Sequence, residues 1–258
     1  MGNQLRSFDY FEFFSGRGPI AKKTTIVFVP FFGGTKEKLR RHIDFVNELG
    51  FPAVGFNLTA YDRLGSLWDR TWAPGLPRDR KGRWGIKFKW ADEIEAVLDQ
   101  IPGPKILYCF SSPTACALDA TARRHAQDVC GVIGDCGPFV RLWECFENYI
   151  EFEMGVRSPK IRKTMNALFQ PFWSLQHNSS LNADLRALPK GFPILSIRGL
   201  KDRLVTEPAI NEAMAGHEHL ALEILRLSSS DHLQGLKTEP ELYKKAVGDF
   251  LLRIAGAN

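Results

Sequence analysis

The chain has 258 residues and a net charge of +5, with 44% apolar and 12% aromatic residues. This composition supports a large buried core and excludes a disordered or low-complexity protein. No apolar run approaches the roughly 20 residues that a membrane-spanning helix needs, which excludes a membrane span.

Short apolar runs alternate along the chain with segments of helical periodicity. The predicted strands are residues 7–14, 24–30, 51–58, 105–110, 129–134, 193–198 and 220–227. The predicted helices are residues 35–49, 90–100, 114–118, 207–215 and 239–254. Several strands, such as TTIVFVP at 24–30, are almost wholly apolar, which is typical of strands buried on both faces. The alternation predicts an α/β fold with a mostly parallel central sheet and helices on both faces.

Residues 139–188 interrupt this alternation with a helix-like pattern and no convincing strand. The segment is rich in large aromatic residues: Trp143, Phe146, Tyr149, Phe152, Phe169, Phe172 and Trp173. We expect a helical insertion in one domain, whose core is formed by residues 1–138 and 189–258.

The stretch KILYCFSSPTACALD at 105–119 passes from a strand to a helix with no loop between them. Such a turn strains the turning residue and projects its side chain at the carboxyl end of the sheet. The free N–H groups of the following helix lie there and can stabilise a developing oxyanion. The pattern C-x-S-x-P resembles the G-x-S-x-G nucleophile elbow of the α/β-hydrolases, with Ser111 as the nucleophile.

Both glycines of the family motif are replaced in this chain, by Cys109 and Pro113. Cysteine is small, and proline suits the first turn of a helix, where no N–H is required. Ser112 would be the nucleophile if the strand were one residue longer, although Phe110 would then occupy the small position. A further alternative is that the two serines only cap the helix.

The resemblance extends to an acid and a base, in the chain order that the family uses. Residues 199–205, GLKDRLV, resemble the family's G-x-x-D-x-x-V segment and imply that Asp202 is the acid. Asp135, which follows the strand at 129–134, is the alternative acid. His232 follows the last strand, where the family has its base. The remaining histidines are interpreted as structural: His42, His125, His177, His217 and His219.

The segment PFFGG at 30–34 stands where the family has its oxyanion loop, although the usual His and the first Gly are missing. The resemblance implies that the backbone N–H groups of Phe32 and Ser112 hold the oxyanion. It also implies that residues 139–188 form a lid over the site. The side chains expected to line an apolar substrate pocket are Phe31, Trp143, Phe146 and Phe172.

The resemblance covers residues 20–255 and predicts a serine hydrolase that acts through an acyl-enzyme. The expected substrate is a small-molecule carboxylic ester with an apolar acyl or aromatic group. One alternative is an acyl thioesterase or acyltransferase that acts on acyl-carrier thioesters. The other is a non-catalytic α/β-hydrolase-like protein that binds an apolar ligand or a protein partner.

Residues 62–90 hold eight Arg or Lys against three Asp, together with four of the six tryptophans. An acidic acyl carrier protein is one expected partner of this segment. Nucleic acid is not expected, because no nucleic-acid motif accompanies the charge. We instead favour a loop that packs its tryptophans inward and leaves its charges in solvent.

The five cysteines show neither paired spacing nor a metal-like pattern with histidine. We therefore expect reduced thiols in a reducing compartment, with no metal and no cofactor. The first residues lack the apolar centre of a signal peptide. Together these features predict a cytoplasmic protein.

Overall fold

The computed structural model describes residues 11–17, 23–59 and 79–256. Its central sheet has seven strands in the order β1-β3-β2-β4-β5-β6-β7, and only β1 runs antiparallel to its neighbour. The strands are β1 (Phe11–Phe14), β2 (Thr25–Val29), β3 (Ala53–Phe56), β4 (Lys105–Phe110), β5 (Val129–Asp135), β6 (Pro193–Gly199) and β7 (Ala221–Leu227). The predicted α/β sheet is confirmed, while residues 7–10 of the first predicted strand lie outside the described residues.

Helices cover both faces of the sheet. They are α1 (Arg40–Glu48), α2 (Ile86–Leu98), α3 (Thr114–Arg123), α4 (Leu142–Phe152), α5 (Pro159–Trp173), α6 (His177–Ala187), α7 (Glu207–Met214), α8 (Gly235–Thr238) and α9 (Pro240–Gly256). A 3₁₀ turn at Lys36–Leu39 leads into α1.

The strands alternate their side chains between two hydrophobic clusters. Ile26 and Phe28 of β2 pack with α1 and α9 on one face, whereas Val27 and Val29 pack with α2, α3 and α6 on the other. This period of two, with both faces buried, explains why the strands read as continuous apolar runs. β4 lies at the centre of the sheet, hydrogen-bonded to β2 on one side and to β5 on the other. A residue at its carboxyl end is therefore held in place by strands on both sides.

The helix α2 begins at Ile86, four residues before its predicted start, and its first turn contains a buried lysine. Lys87 is fully buried, and its Nζ lies 2.8 Å from Asp184 Oδ2 and 2.6 Å from Ser180 Oγ. Arg83 likewise pairs with Asp119. The expectation of a solvated basic loop is therefore wrong for these residues, and residues 62–78 of that segment lie outside the described ones.

The segment 139–188 is helical, as expected, and contains α4, α5 and α6. The helix α6 packs against α3 and so belongs to the helical layer on the sheet, whereas α4 and α5 pack mainly on each other. Asn166 Nδ2 of α5 donates to the carbonyl oxygen of Trp143 in α4 at 2.7 Å. No helix in the described ranges is long and apolar enough to cross a bilayer.

Candidate active site

Ser111 lies at the turn between β4, which ends at Phe110, and α3, which begins at Thr114. Its φ is +58°, a left-handed conformation that costs a non-glycine residue roughly 1–3 kcal/mol. The Ser111 N–H donates to the carbonyl oxygen of Asp135 at 2.8 Å, which ties the turn to β5. The chain also passes close beneath the turn, because a Cβ at Gly137 would lie 2.4 Å from the Ser111 carbonyl oxygen. This is the strained turn that the sequence predicts.

His232 connects the serine to a carboxylate. Its Nε2 lies 3.1 Å from Ser111 Oγ, and its Nδ1 lies 2.7 Å from Asp202 Oδ2. Since the Asp202 carboxylate can only accept, Nδ1 carries the proton and Nε2 is left as the acceptor for the serine hydroxyl. The structure therefore brings Ser111, His232 and Asp202 together as a hydrogen-bonded chain, whereas no hydrogen bond joins His232 to Ser112.

Asp202 follows β6 and is buried. Its Oδ1 accepts the backbone N–H groups of Leu204 and Val205, each at 2.8 Å, which leaves Oδ2 for His232. The loop that carries the histidine comes close to β6 here, because a Cβ at Gly199 would lie 2.6 Å from the Ser230 carbonyl oxygen. The glycine thus allows the acid and the base to come within hydrogen-bonding distance.

Asp135, the alternative acid, is committed elsewhere. Its Oδ2 accepts the Tyr243 hydroxyl at 2.5 Å, and its Oδ1 accepts the Cys136 thiol at 3.3 Å. Burial raises the pKa of Asp135 to about 6, against the lowering effects of those two hydrogen bonds. The imidazole proton of His232 points to Asp202 instead, so the geometry favours Asp202 over Asp135 as the acid.

The N–H groups expected to hold an oxyanion come from two loops. Phe32, after β2, and Ser112, after the turn, both line the cavity that contains Ser111. Neither backbone N–H has a hydrogen-bond partner among the described residues. Unpaired N–H groups beside a nucleophile are what an oxyanion hole requires.

No protein-family model matches this chain, and no curated protein has a matching sequence. Solved structures do match. Alpha/beta hydrolase domain-containing protein 10 from mouse is 16% identical, with a TM-score of 0.60 over 97% of this chain and 98% of that one. A carboxylesterase structure from the thaumarchaeon Nitrososphaera gargenis is 14% identical, with a TM-score of 0.61 over 96% of each chain. An α/β-hydrolase enzyme from a lagoon-sediment metagenome of Mar Chica, Morocco, is 18% identical, with a TM-score of 0.61 over 97% of this chain and 99% of that one.

The chain has the α/β-hydrolase fold. The strand order, the turn after β4 and the order of the serine, the acid and the histidine all agree with that fold. At these identities the likeness establishes the architecture, and the chemistry has to be argued from the site itself.

A cavity of about 450 Å³ opens beside Ser111 and His232 of this α/β-hydrolase fold. Aromatic side chains form much of its wall: Phe31, Phe32, Phe110, Phe139, Phe146 and Tyr149. The Phe32 ring packs edge-on against the rings of Tyr149 and Phe169, with centroids 6.0 and 5.7 Å away. The helices α4 and α5 therefore contact the loop that carries the unpaired Phe32 N–H.

Two of the four predicted pocket residues, Phe31 and Phe146, line this cavity, and the other two do not. Trp143 is 46% exposed, because α4 turns Leu142, Cys145 and Phe146 inward and leaves Trp143 on its outer side. Phe172 packs against the larger hydrophobic cluster on the sheet instead. The prediction of Trp143 and Phe172 as pocket contacts is wrong.

Polar side chains that sequence reasoning missed also line the cavity, among them Lys38, His42 and Glu153. The His42 ring packs edge-on against Phe110 with centroids 4.9 Å apart, and burial lowers its pKa to about 3. Neither of its ring nitrogens has a partner among the described residues. Its position in the first turn of α1, one 3₁₀ turn after the oxyanion loop, was the signal that could have marked it as a pocket residue.

One group of potential metal ligands stands out among the described residues. The ligand atoms of Cys136, Asp202 and His232 all lie within 4.8 Å of one another. However, Asp202 and His232 are hydrogen-bonded to each other, and burial raises the pKa of the Cys136 thiol well above its usual value. A protonated thiol is a poor metal ligand, so we assign Asp202 and His232 to the hydrogen-bonded chain, and Cys136 to its own hydrogen bonds with Asp135 and Leu233.

Proposed function

We propose that this protein is a serine hydrolase that cleaves carboxylic esters with an apolar acyl or aromatic group. The observation that carries the proposal is the hydrogen-bonded chain from Ser111 Oγ through His232 to Asp202, at 3.1 and 2.7 Å. Ser111 and His232 of this hydrogen-bonded chain line a cavity with a largely aromatic wall. The solved structures of similar fold include esterases and a monoacylglycerol lipase, which agrees with an ester as the substrate.

In the first half of the reaction, Ser111 Oγ attacks the ester carbonyl carbon while His232 Nε2 takes the hydroxyl proton. Asp202 accepts the Nδ1–H hydrogen bond and stabilises the imidazolium that forms. The carbonyl oxygen becomes an oxyanion, held by the N–H groups of Phe32 and Ser112. When the tetrahedral intermediate collapses, the C–O bond to the alcohol breaks, and the alcohol leaves with the proton from Nε2.

In the second half, a water molecule attacks the acyl-enzyme carbonyl and gives its proton to His232 Nε2. Collapse of this second intermediate breaks the bond to Ser111 Oγ, which recovers the proton from the imidazolium. The carboxylic acid then leaves. A neutral His232 is required at the start of each half, because only an Nε2 without a proton can act as the base.

An apolar acyl or aromatic group follows from the walls of the cavity. Rings such as Phe31, Phe110 and Phe146 offer dispersion contacts and no charge. Each methylene group that such a wall removes from water contributes about 0.8 kcal/mol to binding. Lys38 and Glu153 are both exposed residues at the wall, so no single sign of charge dominates there.

Nothing in the described residues favours the thioester alternative over the ester. The acyl carrier protein was expected to bind the basic segment 62–90, and three of the five described cations in that segment, Arg80, Arg83 and Lys87, are paired within the fold. Their charges are therefore not available to an acidic partner.

The test is hydrolysis of p-nitrophenyl esters from acetate to dodecanoate, beside acyl-coenzyme A and acyl-carrier thioesters of the same lengths. We expect ester hydrolysis that rises with acyl length before it levels off, and loss of activity in Ser111→Ala. The Ser112→Ala variant is the matched control. Faster turnover of thioesters would overturn the ester assignment. A folded wild-type protein that turns over neither class would establish the non-catalytic alternative.

A further inference from the structure

The thiol of Cys136 lies beside the acid and the base, although it takes no part in the proton transfers. Its sulfur and ligand atoms of Asp202 and His232 all lie within 4.8 Å of one another. The side chain is buried, and burial raises the pKa of its thiol well above the usual value. The sulfur therefore keeps its proton and can both donate and accept a hydrogen bond.

Both capacities of the thiol are used. Its Sγ donates to Asp135 Oδ1 at 3.3 Å and accepts the backbone N–H of Leu233 at 3.4 Å. Leu233 directly follows His232 in the chain, and its N–H makes no other hydrogen bond within the described ranges. The thiol thus ties the end of β5 to the backbone of the loop that carries the base.

The two residues that this hydrogen bond joins both have strained backbones. The φ angle is +56° at Cys136 and +55° at Leu233, in the left-handed region that non-glycine residues rarely adopt. Such conformations persist only where the surrounding structure holds them, and they are concentrated at active sites. The Cys136 N–H donates to the Ile197 carbonyl oxygen of β6 at 2.9 Å, which holds the first residue. The hydrogen bond that holds the backbone N–H of Leu233 is the one to the sulfur.

The acceptor of the thiol is itself fixed from the core of the sheet. Asp135 Oδ2 accepts the Tyr243 hydroxyl of α9 at 2.5 Å, and the hydroxyl oxygens of Tyr243 and Tyr108 lie 2.5 Å apart. Since the Tyr243 proton is donated to Asp135, the Tyr108 hydroxyl of β4 donates to Tyr243. These side chains are buried, so water does not compete for their hydrogen bonds. Asp135→Asn keeps an acceptor for the thiol, because its amide oxygen can face Cys136.

We propose that Cys136 is a positioning residue, which holds His232 in line with Ser111 through the backbone of Leu233. The alignment leaves little room for movement, because His232 Nε2 lies 3.1 Å from Ser111 Oγ, towards the long end of the range for a hydrogen bond. A displacement of about 1 Å in a reacting group costs about 10²-fold in rate. The effect on turnover rests on the proposed function, whereas the hold on the Leu233 backbone does not.

The experiment compares Cys136→Ala with Cys136→Ser by hydrolysis of p-nitrophenyl esters. Alanine removes both hydrogen bonds, whereas a serine hydroxyl can donate to Asp135 and accept from Leu233. We expect kcat to fall about tenfold in Cys136→Ala because the base is misplaced. KM should stay nearly unchanged, since Cys136 does not line the cavity beside Ser111. Cys136→Ser should recover most of the loss in kcat.

A second buried cysteine provides the matched control. Cys116→Ala removes a fully buried thiol from α3 and should keep the kcat of the wild type. Urea unfolding of every variant checks that it is folded and measures the stability that each thiol contributes. A cysteine that only packs changes stability alone, whereas a positioning residue changes kcat at nearly constant KM.

Amide hydrogen exchange of Leu233, followed by NMR, tests the hydrogen bond without catalysis. The amide should exchange slowly in the wild type and in Cys136→Ser, and about tenfold faster in Cys136→Ala. The Tyr243 amide, which donates to the Glu239 carbonyl oxygen at 3.0 Å, is the reference and should be unchanged.

An unchanged kcat in a folded Cys136→Ala would overturn the proposal and leave the thiol as a packing residue. Equal losses of kcat in Cys136→Ala and Cys136→Ser would overturn it too, because the hydrogen bonds would then not be the cause. So would equal exchange of the Leu233 amide in the wild type and Cys136→Ala. A wild type that hydrolyses no ester but shows the difference in exchange would refute the proposed function and leave the hold on Leu233 standing.

Discussion

Replacing Asp202 by asparagine should invert the hydrogen bonding of the histidine while leaving the fold intact. In the structure, Oδ1 of Asp202 accepts two backbone N–H groups, from Leu204 and Val205, at 2.8 Å each. An amide nitrogen cannot accept, so the asparagine oxygen must stay at those donors and its NH₂ group must face His232. Nδ1 then becomes an acceptor, and the imidazole proton moves to Nε2.

With the proton on Nε2, the imidazole donates to Ser111 Oγ and can no longer remove its proton. A serine hydrolase held in the wrong tautomer loses about 10⁴ in kcat, or about 5 kcal/mol of transition-state stabilisation. The melting temperature should change little, because both backbone bonds to the residue 202 side chain are kept.

The assay is hydrolysis of a p-nitrophenyl ester by Asp202→Asn, with Asp135→Asn as the matched control. We expect the loss in the first variant and near wild-type turnover in the second. Near wild-type turnover by Asp202→Asn would refute the reasoning. A comparable collapse in Asp135→Asn alone would transfer the role of the acid to β5.

Three further predictions concern the surroundings of the site. Burial raises the pKa of Asp135 to about 6, so the folded protein binds this proton more tightly than the unfolded chain, and stability falls as the pH rises from about 4 to about 6. Asp135→Asn should remove that fall and gain up to about 3 kcal/mol relative to the wild type above pH ~6, measured by urea unfolding; parallel pH profiles would contradict it. Gly137→Ala should displace the carbonyl group of the nucleophile and reduce kcat by about 10²-fold, whereas Gly256→Ala, with open space around it, should not; equal rates would show that the close approach is unimportant. Phe146→Ala should raise KM for long-chain esters relative to acetate while Trp143→Ala leaves the chain-length profile unchanged, and a profile altered by Trp143→Ala instead would contradict the observed cavity wall.

The sequence predicts those elements whose signals lie in neighbouring residues. β4 begins and ends at its predicted residues, because its run from Ile106 to Phe110 is apolar, as in a strand buried on both faces, and stops abruptly at Ser111. The resemblance of the segments around Ser111, Asp202 and His232 to the α/β-hydrolase pattern then predicts which side chains meet.

The misses depend on contacts between distant parts of the chain. Lys87 reads as a solvated cation until Asp184, far along the chain, is brought to it by α6. Trp143 and Phe146 are equally aromatic in the sequence, and only the rotation of α4 against the core decides which one faces the cavity. In the sequence His42 has only the features of a structural helix residue. Its place in the cavity wall follows from the contact of its ring with Phe110 of β4, which the sequence does not show.

Covalent labelling tests the central claim most directly. The folded protein should be incubated with a fluorophosphonate probe, digested, and analysed by peptide mass spectrometry. If His232 and Asp202 activate the serine as their hydrogen bonds indicate, a single adduct should form on Ser111, and it should be absent from Ser111→Ala and strongly reduced in His232→Ala. An adduct on Ser112, or no adduct on a wild-type protein with a normal melting curve, would contradict the account.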